Sequence, residues 1–227
     1  MARGYTVAEI AIDRTLSVYG LLGRLNSTQQ TLIKHRRTMN AISYEIENLV
    51  ILDGVRGRVF SSFQRMSRFL PQVRRYQQIA ERAESVYVMG IMDTVPPPIP
   101  NIHYIPLPAD AQLVKEWFVI LDSPEYSCTL ATEEVSRPNA TDAQRMFKGI
   151  WTFNQEMTTI LQEWLSSLFN AREMEIDPSL RDPQRQIALM TEVQARLKLR
   201  GEREIKRAQQ SAMELQEEIE AVFKASL

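Results

Sequence analysis

Met39, Ile42, Ile46, Leu49 and Val50 recur at spacings of three and four, which puts them on one face of a helix that Asp53-Gly54 then stops. Thr6-Val7-Ala8-Glu9 and the pair Ser27 and Gln30 have the spacing of capping boxes, so a first helix is expected over 7–22, ended by Gly23, and the second begins after Ser27. The period then shortens. Short apolar, β-branched and aromatic runs at 58–63, 85–92, 101–107, 117–122, 126–132 and 147–153 predict strands, with 117–122 and 126–132 forming a hairpin across Ser123-Pro124-Glu125.

Between these runs, Val73, Tyr76, Ile79, Ala80 and Ala83 mark a helix near 71–84, and 110–116 reads as a helical turn. Four prolines within 94–100 require an extended loop. After the last strand the helical period returns over 155–170, with Met157, Ile160, Leu161, Trp164, Leu165 and Leu168 as its stripe. Strands interleaved with helices predict an α/β fold, with α+β as the alternative: a mixed sheet flanked by N-terminal helices and a long C-terminal amphipathic helix.

The expected organisation is an N-terminal helical segment at 1–32, a core domain at 33–170, a linker at 171–183 and a helix at 184–227. In that last helix Ile205, Ala208, Ala212, Leu215, Ile219 and Val222 step by 3, 4, 3, 4, 3, the a/d alternation of a coiled coil. They are the candidate oligomerisation face, for a homodimer or for a partner helix.

Composition narrows the classes. With 44% hydrophobic and 24% charged residues, the chain is neither a disordered segment nor a disulfide scaffold. Its 27 Lys+Arg against 28 Asp+Glu remove the usual electrostatic case for nucleic-acid binding. No apolar run approaches the roughly 18 residues of a membrane span, and no secretory or transit pattern precedes the first helix, so the mature chain is expected to start near Met1. The lone Cys128 fits a reducing, cytoplasmic setting.

Catalytic motifs are missing from the sequence. It contains no phosphate-binding loop, dinucleotide fingerprint, nucleophile elbow or zinc-protease helix. His35, expected on a helix, and His103, on a strand, lack ligand-spaced neighbours. Cys128, among Glu125, Glu133 and Glu134, reads as a core residue rather than a reactive thiol or a pigment attachment point. No enzyme activity, metal or cofactor is therefore expected.

Charge is unevenly placed. Residues 56–84 hold seven Arg and two acids, whereas 110–156 hold four basic and eight acidic residues. The first expectation is that the two segments attract each other. The second is an anion pocket made by Arg65, Arg68, Arg74, Arg75 and Tyr76 beside Phe60 and Phe63, because guanidinium groups offer forked donors to phosphate or carboxylate.

Six strings occur in the order and spacing seen in DICT domains: Phe63-Gln64-Arg65, Arg75-Tyr76-Gln77-Gln78-Ile79-Ala80, Val86-Tyr87-Val88-Met89-Gly90, Glu116-Trp117-Phe118-Val119-Ile120, the hairpin at 126–134, and Phe147-Lys148-Gly149-Ile150-Trp151-Thr152-Phe153-Asn154. Residues 33–168 thus resemble this family, named for diguanylate cyclases and two-component systems. The resemblance implies a bacterial, often cyanobacterial and light-linked, sensory module, and it supplies no catalytic or ligand residues to carry over. A non-enzymatic regulator that passes its state through the C-terminal helix to a signalling partner, such as a kinase or cyclase, is expected; a ligand-free scaffold is the alternative.

Overall fold

A computed structural model describes residues 13–25, 32–137, 140–141, 144–168 and 176–225. The chain divides into a unit ending at Leu189 and a second unit from Met190. In the first, helix α1 (Val18–Leu25) precedes strand β1 (Leu32–His35) and helix α2 (Arg36–Ile51). Strand β2 (Arg58–Arg65), the single turn α3 (Met66–Phe69) and helix α4 (Val73–Arg82) follow, and then β3 (Ser85–Ile91) and β4 (Ile102–Pro106). The hairpin β5 (Glu116–Asp122) and β6 (Ser127–Glu134) leads to β7 (Met146–Thr152), α5 (Gln155–Leu168) and α6 (Pro183–Ala225).

The seven strands form one mixed sheet in the order β1-β7-β6-β5-β2-β3-β4. β2, β3 and β4 run parallel, with α4 in the first crossover, while β5, β6 and β7 meander antiparallel and β5 pairs antiparallel with β2. This is the expected α/β class. Alternation along the strands sorts the side chains onto two faces. Phe60, Phe118, Ile120, Ala131 and Ile150 meet Val18 and Leu22 of α1 and Leu161 and Leu165 of α5. α2 packs over β5, β6 and β7 on the other face and contacts α4.

Most predicted elements lie where periodicity put them. Met39, Ile42, Ile46, Leu49 and Val50 are all buried along α2, and Gly54 takes the positive φ of 73° that ends its run. Four differences have physical reasons. α1 begins only at Val18, after a turn in which Asp13 Oδ1 accepts from the Thr15 amide and hydroxyl, so 13–17 are not part of the helix expected over 7–22; it then continues through Gly23, because a glycine inside a helix costs only about 1 kcal/mol, which packing of Val18 and Leu22 offsets. β1 is too short for a sequence pattern, and it places His35 at a strand end before α2 rather than on a helix. Ile160 leaves the α5 stripe and is 37% exposed, while Thr158 and Gln162 take buried positions and bond to Thr129 and Arg58. The capping positions at 6–9 and 27–30 lie outside the described residues.

The expected attraction between the basic and acidic segments is present where Glu134 faces Arg68, while many other charges of the two segments pair elsewhere. Acids of 110–156 pair with Arg14, Arg145, Lys148, Arg181 and Arg185. Arginines of 56–84 pair with Glu47, Glu81 and Glu84.

Candidate functional site

The candidate site begins at an irregularity in β2. Ser62 pairs with Met89 and Arg65 with Ile91, so Phe63 and Gln64 together oppose Gly90, a bulge of two residues against one. Gly90 suits this place, since a Cβ would stand 3.2 Å from the Arg65 carbonyl carbon, a tight approach to backbone. Gln64 has φ 64°, an uncommon conformation for any residue but glycine.

Beside this bulge α2 and the sheet enclose a cavity of about 60 Å³. Ser61, Val119 and Trp117 form its floor, Arg36, Asn40, Ser43 and Tyr44 of α2 its wall, and Gln64, Arg68 and Arg145 part of its rim. A larger open groove of about 360 Å³ shares Gln64 and Arg68 and adds Arg65, Lys115, Glu134 and Arg137. Both spaces are rich in cations.

The rim is tied by hydrogen bonds. Arg145 donates from Nε to Glu134 Oε1 at 2.7 Å and from Nη2 to Gln64 Oε1 at 2.9 Å; Arg68 Nη1 donates to the same Gln64 oxygen. Burial chiefly, then the nearby charge of Arg145, lowers the Arg68 pKa, with Arg36 and Arg65 acting the same way and Glu134 opposing. Glu134 is depressed to about 2, first by its hydrogen bond from Arg145. Ser43, only 3% exposed, has an Oγ with no partner among the described residues.

The sequence-predicted pocket residues separate into two groups. Arg65 and Arg68 line the groove. Arg75 instead clamps α4 to α2: its guanidinium pairs with Glu47, donates to the Tyr44 carbonyl at 2.7 Å and to Asn48 Oδ1 at 2.8 Å, and lies over the Tyr44 ring. Tyr76 is fully buried, with its hydroxyl 3.0 Å from Glu47 Oε1 and 2.7 Å from Ser61 Oγ. Burial raises the pKa of both Glu47 and Tyr76, against the pull of Arg75. Arg74 is exposed on α4. Sequence reasoning did not single out Arg36, Gln64 or Arg145 as site residues, although Gln64 stands within the string Phe63-Gln64-Arg65.

A second polar cluster ties the base of α6 to the β5–β6 turn. Arg181 donates from Nη1 to Asp122 Oδ1 (2.7 Å), the Ser123 carbonyl (2.6 Å) and Ser127 Oγ (2.7 Å), and from Nη2 to Thr159 Oγ1 (2.6 Å). Asp122 is 0% exposed. Gln186 bonds both backbone groups of Ser127, and the Asp182 amide bonds the Pro124 carbonyl. The end of the expected linker is thus built into the core. In the second unit Ile205 is 60% exposed; the side chains of Ala208, Ala212, Leu215, Ile219 and Val222 lie outside what is described.

Cys128 is buried, donated to by the Trp151 indole N–H at 3.1 Å, and its thiol is pushed up to about 12 by burial. A thiol held neutral is a poor nucleophile. Among the described residues no group of three or more His, Cys, Asp and Glu could hold a metal, and no helix is long and apolar enough to cross a membrane.

Fold and site together define a mixed α/β domain with a cation-rimmed cavity beside a bulged strand. Residues 15–135 match the family described as the sensory domain in diguanylate cyclases and two-component systems, DICT, and this chain, more than half of it covered, belongs to that family. No curated protein and no solved structure matches the chain. The domain is a sensory one of signalling proteins.

Proposed function

We propose that this chain is a non-enzymatic input module that binds a small ligand in the cavity between α2 and the sheet and passes its state to the base of α6. The observation that carries the reading is the cavity itself: the buried Arg145, the partly buried Arg36 and the exposed Arg68 gather with a buried serine hydroxyl that has no partner among the described residues, beside a backbone irregularity. Such groups are costly to hold together without a ligand. The polar cluster at Arg181 supplies a rigid attachment for α6, and a ligand shifts such a system only through its different affinity for two states.

In this reading the core domain spans 33–170 and α6 is the output element. Ile205, Ala208, Ala212, Leu215, Ile219 and Val222 form the seam with a second copy or with a helix of a kinase or cyclase, in the cytoplasm. A light-linked signal agrees with the family resemblance, while the buried Cys128 argues against a thioether-bound pigment.

A thermal-shift panel of nucleotides, cyclic dinucleotides, flavins and bilins tests ligand binding, run on the wild type and on Asn40→Trp, which fills the cavity from α2. A saturable rise in Tm with one compound, lost in Asn40→Trp, is expected, because a ligand bound only by the folded state raises apparent stability. If no compound shifts the wild type, or a shift survives the filled cavity, the ligand-free scaffold is the better account.

A further inference from the structure

Four exposed cations share the open groove outside the cavity. Arg65, Arg68, Lys115 and Arg137 line its roughly 360 Å³ together with Val114 and Glu134. None of the four forms a salt bridge among the described residues. Two carboxylates lie near them. Glu134 faces Arg68 but is held by Arg145, and Asp93, within reach of the Arg65 charge, accepts from the Ser67 amide at 2.9 Å and its hydroxyl at 2.6 Å. Glu133, next along β6, is paired with Lys148. Even with Glu134 and Asp93 counted in full, the four cations keep an excess of two positive charges.

Like charges gathered at a concave surface focus the field and draw anions to it. The charges of Arg145, Arg36 and Arg65 all act against the protonated form of Arg68, which marks the potential there as positive. A single exposed ion pair is weak and screened by salt, so a small monoanion gains little in this groove, whereas a chain carrying several carboxylates meets all four cations at once. Nucleic acid is a poorer fit. Its phosphates form an unbroken row, and the stretch 110–156, which supplies Lys115 and Arg137, holds eight acidic residues against four basic ones. A flat membrane surface matches a concave site no better. Half-buried Val114 adds an apolar contact within the groove.

We propose that this groove docks an acidic segment of a partner protein, a stretch with several Asp or Glu whose carboxylates meet Arg65, Arg68, Lys115 and Arg137 while one aliphatic side chain rests on Val114. The surface belongs to the core unit and is separate from the α6 seam. Arg68 and Gln64 line both the groove and the inner cavity, so the partner would sit beside the proposed ligand site. The docking surface does not depend on that ligand reading, since none of its four cations needs the cavity to be filled.

The test is fluorescence anisotropy of a labelled peptide of six glutamates interrupted by one leucine, titrated with the full chain. A lysine peptide of the same length, a single-stranded oligonucleotide and vesicles of phosphatidylglycerol with phosphatidylcholine are run beside it. The wild type is expected to bind the glutamate peptide saturably, to lose affinity as salt rises, and to bind the other three more weakly. Arg65→Glu with Arg137→Glu should weaken the peptide at least about tenfold. Both side chains are exposed and outside any salt bridge among the described residues, so the fold should survive, which an unchanged Tm checks. Arg56→Glu with Arg74→Glu makes the same change in net charge at exposed positions that do not line the groove, and it should bind within about twofold of the wild type.

An unbound glutamate peptide would overturn the proposal, as would equal affinity in the wild type and the groove variant. Equal losses in the two double variants would do the same, because net charge rather than the groove would then set the affinity. Tighter binding of the oligonucleotide or of the vesicles, lost in the groove variant, would assign the surface to that other polyanion and end the acidic-segment proposal.

Discussion

Glu116 shows how a single buried carboxylate ties a helix to the sheet. Its Oε1 accepts from Ser17 Oγ at 2.5 Å and its Oε2 from the Tyr19 amide at 3.0 Å, so it satisfies donors at the start of α1. Burial nevertheless dominates and raises its pKa to about 7. A carboxyl group with a raised folded pKa binds more protons in the native than in the unfolded chain, so its contribution falls as pH rises. The loss begins near the unfolded value of about 4.5 and is complete above about 7, reaching on the order of 3 kcal/mol at 1.36 kcal/mol per unit. Urea unfolding at pH 5 and pH 8 is expected to show this loss in the wild type and a flatter dependence in Glu116→Gln. An identical slope in the two proteins would remove Glu116 as the cause. None of this was legible from the sequence, where Glu116 stood as the last residue of an expected helical turn at 110–116 and the first of the string Glu116-Trp117-Phe118-Val119-Ile120.

At the scale of elements, the strands and helices with strong period were readable, and the irregular joints that build the site were not. α2 announced its buried face through Met39 to Val50, and the β5–β6 hairpin its turn through Ser123-Pro124-Glu125. The bulge at Gln64 had no signal, because a positive φ is usually written with glycine or asparagine and here glutamine is held there by its neighbours. Arg145 fell between the strands expected at 126–132 and 147–153 and Arg181 in the expected linker, and their roles depend on partners 81 and 59 residues away in sequence. Arg181 is expected to matter most for stability. Removing it leaves Asp122 a buried, less compensated carboxylate, so Arg181→Ala should destabilise the chain by about 3 kcal/mol or more in urea unfolding. Adding Asp122→Asn should recover part of the loss; a loss below about 0.5 kcal/mol, the size of an ordinary surface substitution, would mean the cluster does not anchor α6.

For the molecule as a whole, the balanced composition of 27 basic and 28 acidic residues concealed a local gathering of arginines. Predicted opposition between two segments suggested simple mutual neutralisation. Instead, each segment pairs largely with other residues, and Arg36, Arg68 and Arg145 collect at one end of the sheet beside α2. The same sheet carries, at the β5–β6 turn, the polar cluster that fixes the start of α6. β5 joins the two places, since Trp117 and Val119 floor the cavity and Asp122 receives Arg181. This shared strand is the physical basis of the central claim that occupancy of the cavity reaches the helix. The most direct test is amide hydrogen exchange of the full chain during titration with the compound of the nucleotide, cyclic-dinucleotide, flavin and bilin panel that raises its Tm, read at Arg36–Tyr44 and at Asp182–Leu189. The account predicts slower exchange in both segments with one common midpoint, lost in Asn40→Trp; protection at the cavity wall with unchanged exchange at the helix base would contradict it.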